Sequence, residues 1–257
     1  MVKDFTRSVT HTFNHYSNYN RKINKTKSKL SAIVDKKIHS NDILKYEKGL
    51  LSKVSKDRYV DDKFIWLKYD KWGTSLIAGG VSLGFLLIIL KHAFKDGFSN
   101  NYVIFILLFT IIILFFVIYS LTQPKKEQIL NRRDGLITMT GFFWQKNITM
   151  RFDDVIFVFS SGGEDVVAGY QLMVLRPTTG TDIFELTGNC YTTMSFITWY
   201  MDKNRPLPPG EAFDRFREQD FERRKAEGFP KPLYPSKIKT PEATKSQQAE
   251  RKRIGGW

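Results

Sequence analysis

GTSLIAGGVSLGFLLIIL (Gly73–Leu90) and YVIFILLFTIIILFFVIYSL (Tyr102–Leu121) are uncharged runs of 18 and 20 residues, parted by the polar link Lys91–Asn101. At about 1.5 Å per helical residue, each run matches the ~30 Å hydrocarbon layer of a bilayer. Core helices of a soluble domain are shorter or amphipathic, whereas Ile104–Tyr119 is apolar on every face. The sequence therefore predicts a two-pass membrane protein.

The flanks set its orientation. Lys53, Lys56, Arg58, Lys63, Lys68 and Lys71 precede the first run, and Lys125, Lys126, Arg132 and Arg133 follow the second, while the link holds only Lys91 and Lys95. By the positive-inside rule both termini are expected in the cytoplasm, with Trp66, Trp72 and Tyr102 near the interfaces. The first twenty residues lack an apolar signal segment, and the single cysteine, Cys190, leaves no internal disulfide, which suits a reducing compartment. The net charge of +14 is accounted for by juxtamembrane basic residues, each drawn to anionic lipid by ~1 kcal/mol. No nucleic-acid module is recognisable, so membrane lipids, and not nucleic acid, are the expected partners. Lys68, Lys71, Lys125, Lys126, Arg132 and Arg133 are the candidate lipid-facing residues.

Around the hairpin (73–121) the chain divides further. Residues 1–29 are polar and read as a mobile tail. In 30–72, Leu30, Ile33, Val34, Ile38, Ile43, Leu44, Leu50, Leu51 and Val54 approximate a helical stripe, predicting amphipathic cytoplasmic helices broken near Ser40-Asn41-Asp42. Periodicity leaves open whether these bind the membrane or the cytoplasmic domain. Gly80 and Gly84 form a GxxxG pair, expected to pack on the second helix, with a homo-oligomer left open. Neither run carries Asp, Glu, Lys, Arg or His, so an anchor is expected and not a carrier.

After Pro124 the pattern becomes strand-like: Glu127–Asn131 and Gly135–Thr140 about an Asp-Gly turn, then Phe142–Trp144 with Asn147–Arg151, Val155–Ser160, Tyr170–Pro177 and Asp182–Thr187, and a helix from Thr192 to Lys203. The predicted fold class is membrane α+β: a transmembrane hairpin, a cytoplasmic antiparallel β domain (125–203) and an extended C-terminal arm (204–257). Strands closed by one helix resemble the PH-like domains that follow transmembrane hairpins in many small bacterial membrane proteins. That resemblance implies a binding or assembly module, with Arg132, Arg133, Lys146 and Arg151 toward phospholipid headgroups.

The arm reads PLPPGEAFDRFREQDFERRKAEGFPKPLYPSKIKTPEATKSQQAERKR (Pro206–Arg253). Its prolines enforce an extended path around a charged helix near Glu211–Glu227. Phe213, Phe216, Phe229, Leu233 and Tyr234 are the candidate anchors, docking on the chain's own β domain or on a partner. The last four residues are expected to fray. This text, with TPEAT and QQAERKRI, resembles the tail of an uncharacterised family of two-pass inner-membrane proteins of Gram-negative bacteria found near type VI secretion effector genes. The resemblance implies an immunity-like or accessory protein whose partner is a secreted toxin or secretion component, and assigns no catalytic residue. The alternative is a lipid-sensing or envelope-maintenance protein.

Catalytic motifs are missing from the text. His11, His15, His39 and His92 are scattered without metal-ligand spacing, and there is no P-loop, nucleophile elbow or dinucleotide fingerprint. Asp153-Asp154 and Asp61-Asp62 are adjacent pairs, which on a strand face opposite ways. No enzyme, cofactor or metal is expected.

Overall fold

The computed structural model describes residues 3–12, 33–35, 58–68, 73–160, 171–178, 180–184, 186, 190–234 and 239–257. Two compact units divide the chain: one of 1–68, 127–140 and 147–257, the other of 69–126 and 141–146.

The larger unit holds nine strands, four α-helices and a short 3-10 helix (Phe152–Asp154) among the described residues. β1 (Ile33–Asp35), β7 (Phe157–Ser160), β8 (Gln171–Leu175) and β9 (Thr181–Ile183) form one antiparallel sheet in that order. β2 (Arg58–Val60), β3 (Phe64–Lys68), β4 (Glu127–Asn131), β5 (Leu136–Met139) and β6 (Ile148–Arg151) form the second. The register places Val60, Ile65, Leu130, Ile137 and Met150 opposite one another across five strands. All five are buried, as the two-residue period of a strand requires of a row facing the core. Phe157, Leu172 and Val174 of the first sheet join them, as do Phe196, Ile197 and Tyr200 of α3 (Cys190–Met201).

Asp182 of β9 sits in this interior yet is fully partnered. It accepts from the Thr140 amide at 2.7 Å, the Thr140 hydroxyl at 2.8 Å, Gln128 Nε2 at 3.0 Å and Arg176 Nη2 at 3.1 Å. Gln128 and Thr140 belong to the second sheet's strands or their ends, and Asp182 and Arg176 to the first, so one carboxylate ties the two sheets together.

Two expectations change at the N-terminal side. Residues 58–68 form β2 and β3, not an amphipathic helix; the rest of that expected helical stretch, apart from β1, lies outside the described residues. Asp61 builds the β2–β3 turn, its carboxylate accepting from the amides of Lys63 and Phe64. Residues 3–12 are extended and docked, not a mobile tail. They cross the outer row Tyr59–Trp66–Ile129–Thr138–Thr149 of the second sheet: Phe5 stacks on Trp66 at 5.5 Å, Arg7 pairs with Glu127 at 2.8 Å, and the Thr10 amide donates to Thr149 O at 3.0 Å.

The smaller unit contains α1 (Gly73–Asp96, 24 residues) and α2 (Asn100–Thr122, 23 residues), both long and apolar enough to cross a membrane. Phe85 stacks on Phe109 at 5.6 Å where the helices meet. The GxxxG pair does not make this contact: a Cβ at Gly80 or Gly84 would meet nothing within 4 Å, whereas one at Gly79 would touch Phe116.

The hairpin is also not a leader to the β domain. It interrupts it. β3 and β4 are neighbours in register from Phe64↔Asn131 to Lys68↔Glu127, and the helices are inserted between those strands in sequence. The domain expected to begin at 125 thus includes strands on both sides of the hairpin.

Candidate functional site

The arm supplies the features the sequence reading singled out. α4 (Glu211–Asp214) and α5 (Arg217–Ala226) are separated only by Arg215 and Phe216, and the connection from α5 to α6 (Lys245–Gly255) carries Pro230, Pro232, Pro235 and Pro241. Pro206, Pro208 and Pro209 prevent continuation of α3, and the capping box at Thr244, where Thr244 Oγ1 accepts from the Gln247 amide and Gln247 Oε1 from the Thr244 amide, starts α6.

Charged groups, not apolar ones, organise this region. Asp202, just after α3, is 0 % exposed. It accepts from Arg205 Nε at 3.0 Å and from the amides of Asn204 (3.1 Å), Leu233 (3.2 Å) and Tyr234 (3.2 Å). Asp220 of α5 accepts from Arg224 Nε at 2.9 Å, Arg223 at 3.0 Å and Arg132 at 3.4 Å. Glu242 takes both Nη atoms of Arg224 at 2.8 Å and Arg251 at 2.9 Å. Other guanidinium donors go to carbonyls: Arg205 to Tyr234 O, Arg217 to Leu207 O and Pro241 O, and Arg251 to Thr240 O; Arg205 Nη1 donates to the Thr240 hydroxyl.

Arg132 is the link back to the β domain. It was expected to face lipid; instead it is 2 % exposed and donates to the carbonyls of Tyr200, Asp202, Lys203 and Arg205. These carbonyls lie at and just beyond the C-terminal end of α3, where a cation offsets both the unpaired oxygens and the negative end of the helix dipole. Burial pushes the Arg132 pKa down, opposed by Asp220. Burial alone would raise Asp220, but the guanidinium groups of Arg132, Arg224 and Arg223 hold it below its ordinary value. Burial likewise lowers Arg224, yet its bonds to Glu242 and Asp220 outweigh this and raise it.

The aromatic anchors are interior to the chain. Phe213 (1 %), Phe229 (1 %) and Tyr234 (8 %) are buried, and Phe216 is half-buried against the core. Tyr234 packs on Phe152 at 5.7 Å, and its hydroxyl donates to Asp153 Oδ1 at 2.9 Å; burial and that carboxylate push its pKa up. Of the five candidates only Leu233, 48 % exposed, faces outward. The arm therefore docks on its own β domain, and Phe213, Phe229 and Tyr234 are not presented to a partner. The chain end is held too. Trp257 Nε1 donates to Phe229 O at 2.9 Å and its ring lies 4.2 Å beneath the Arg251 guanidinium, so the frayed terminus expected from the sequence is replaced by a latch.

Among the candidate lipid-facing residues, Lys68, Lys125 and Arg133 are exposed. Lys126 is buried, its ammonium donating to the carbonyls of Gly141 and Gln145 at 2.7 and 2.5 Å. Lys71 lies outside the described residues. Lys146 and Arg151 are exposed. Among the described residues no cluster of His, Cys, Asp and Glu could hold a metal ion.

Compared with protein-family models, curated proteins and solved structures, the chain matches none.

Proposed function

We propose that this chain is a binding protein of the bacterial inner membrane, an immunity-like or accessory factor of a type VI secretion toxin locus. It acts by protein–protein contact and without chemistry of its own. The observation that carries the anchored reading is the place of the hairpin, inserted between the paired strands β3 and β4. Antiparallel neighbours bring Lys68 and Glu127 side by side, so both flanks of a spanning hairpin return to one face. With the basic flanks, this supports cytoplasmic termini. Two antiparallel sheets followed by α3 support a PH-like outline for the domain. The link to a secretion locus rests on the resemblance carried by the arm.

The test is co-expression with the toxin encoded beside the gene. A stoichiometric binder protects in proportion to its amount and co-purifies with the toxin in detergent. Protection at trace amounts would mean a catalyst. Unchanged toxin sensitivity and delivery, with altered envelope integrity on deletion, would move the reading to lipid sensing. That alternative draws on the basic flanks, of which Arg132 and Lys126 are turned to internal carbonyls.

A further inference from the structure

Phe142, Phe143 and Trp144, in the loop between β5 and β6, are three consecutive large side chains exposed by 42 %, 38 % and 45 %. Such a run is costly in water and marks a surface that something covers. The loop is tightly built. The Lys126 ammonium fills its mouth by donating to Gly141 O and Gln145 O, and the Gln145 amide donates to Phe142 O at 2.9 Å. Gly141 is required there, since a Cβ would fall 2.1 Å from Lys146 O and 2.5 Å from Gln145 O. Phe143 adopts φ 45°, a left-handed conformation that disfavours a bulky residue. The polar backbone is gathered inward and the rings are turned out.

Those rings lie along α2. Trp144 is 5.1 Å from Tyr119 and 5.7 Å from Phe115, and Phe143 is 5.3 Å and 6.2 Å from the same rings. Trp144 Nε1 donates to Thr122 Oγ1 at 2.8 Å. Phe115 stands two helical turns before Thr122, so the loop follows the last ~10 Å of the helix axis. A helix of 23 residues measures ~34 Å against a hydrocarbon layer of ~30 Å, which puts most of that length inside the layer.

We propose that this loop is a membrane wedge, a third insertion into the lipid beside the two helices. The inference rests on reading α1 and α2 as a membrane hairpin. Its occupant is the bilayer, because the rings continue the exposed apolar face of Leu114 (53 %), Ile118 (55 %) and Leu121 (71 %) on α2, which lipid must cover in that reading. Non-helical backbone enters hydrocarbon only when its polar groups are satisfied within the protein. The Lys126 bonds and the Gln145–Phe142 bond satisfy the carbonyls of Gly141, Phe142 and Gln145 in this way, and the Trp144–Thr122 bond satisfies the indole N–H. Lys146 ends the loop and Lys125 precedes Lys126, whose ammonium closes it; both are exposed, and cationic side chains suit an anionic headgroup layer.

The experiment uses the full chain carrying Cys190→Ser and one spin-labelled cysteine, at Phe142→Cys, Leu108→Cys or Leu233→Cys. Each is reconstituted in vesicles of phosphatidylethanolamine and phosphatidylglycerol. Collisions with oxygen, which partitions into lipid, are compared with those of a water-soluble nickel chelate. The expected result is that Phe142→Cys follows Leu108→Cys, favouring oxygen, and that Leu233→Cys favours nickel. Oxygen preference at Leu108→Cys with nickel preference at Phe142→Cys overturns the wedge and leaves the hairpin standing. Protection from both reagents at Phe142→Cys overturns it in favour of a protein contact, such as a second copy. Nickel preference at Leu108→Cys removes the hairpin reading itself. A label-free measurement guards against a perturbed loop: brominated acyl chains should quench the full chain's tryptophan emission, and Trp144→Phe should lose a quenched component. An unchanged quenched fraction in Trp144→Phe also overturns the proposal.

Discussion

Arg132 Nη2 lies 3.4 Å from Asp220 Oδ1, and each of these side chains is only 2 % exposed. The pair joins the β4–β5 turn to α5 and, with four carbonyls at the end of α3, closes the arm onto the domain. Removing one partner of a buried pair leaves the other charge uncompensated, at a cost of about 3–5 kcal/mol. Asp220→Ala should therefore lower stability by that order in detergent-solubilised protein unfolded by urea. Glu227→Ala breaks an exposed pair with Arg223 and should cost under ~1 kcal/mol. Equal effects would mean that the network is not what holds the arm.

Acid should release the arm. The Asp220 pKa is held below its ordinary 3.8, so between the folded and unfolded values the unfolded chain binds the extra proton, and stability rises with pH. The contribution is complete above the unfolded value and is lost as pH falls through the folded one. Protection of the α5 and α6 amides, taken relative to intrinsic exchange at each pH, should fall below about pH 4, and Asp220→Asn should flatten that dependence. A pH profile identical to wild type would assign the acid sensitivity elsewhere.

Neighbouring residues of the arm should behave oppositely. Tyr234→Ala empties a contact with Phe152 and removes the bond to Asp153, which large-to-small core changes place at about 3–5 kcal/mol. Leu233→Ala, at an exposed position, should lie within about 0.5 kcal/mol of wild type. Under the proposed function, loss of toxin co-purification in Leu233→Ala with folding intact would place the proposed partner on the outer face of the arm.

Truncation of Trp257 removes a hydrogen bond to Phe229 O and a cation–π contact with Arg251. Each is worth about 0.5–1.5 kcal/mol. Hydrogen exchange should report faster opening of α6 in the truncated chain, and exchange indistinguishable from wild type would show the latch to be idle.

The two long helices, the strands β4, β5 and β8 and the helix α3 are legible because each is signalled locally, by apolar length, an Asp-Gly turn or period. The Asp134-Gly135 turn is one such case, with Gly135 at φ 65°. β2 and β3 were hidden because Phe64–Leu67 is an unbroken apolar run, Ile65 facing the core and Trp66 half-buried beneath Phe5, and so shows no clean alternation. The buried face of α5 was written in the sequence with unexpected letters. Arg217, Asp220, Phe221 and Arg224 follow the spacing of an interior stripe, but three of the four are charged, and charge ordinarily signals solvent. Arg132 was hidden more deeply, since its carbonyl partners arrive about seventy residues later in the chain.

Because the helices divide β3 from β4, synthesis and assembly run in a constrained order. The ribosome makes β2 and β3 first, then the two long apolar helices, and only afterwards the strand that covers the open side of β3. Until β4 follows α1 and α2, β3 presents an unpaired edge, which is a template for aggregation. The 58 residues between Lys68 and Glu127 are therefore the interval of synthesis in which this domain is most open to mispairing, and whatever delays β4 lengthens it.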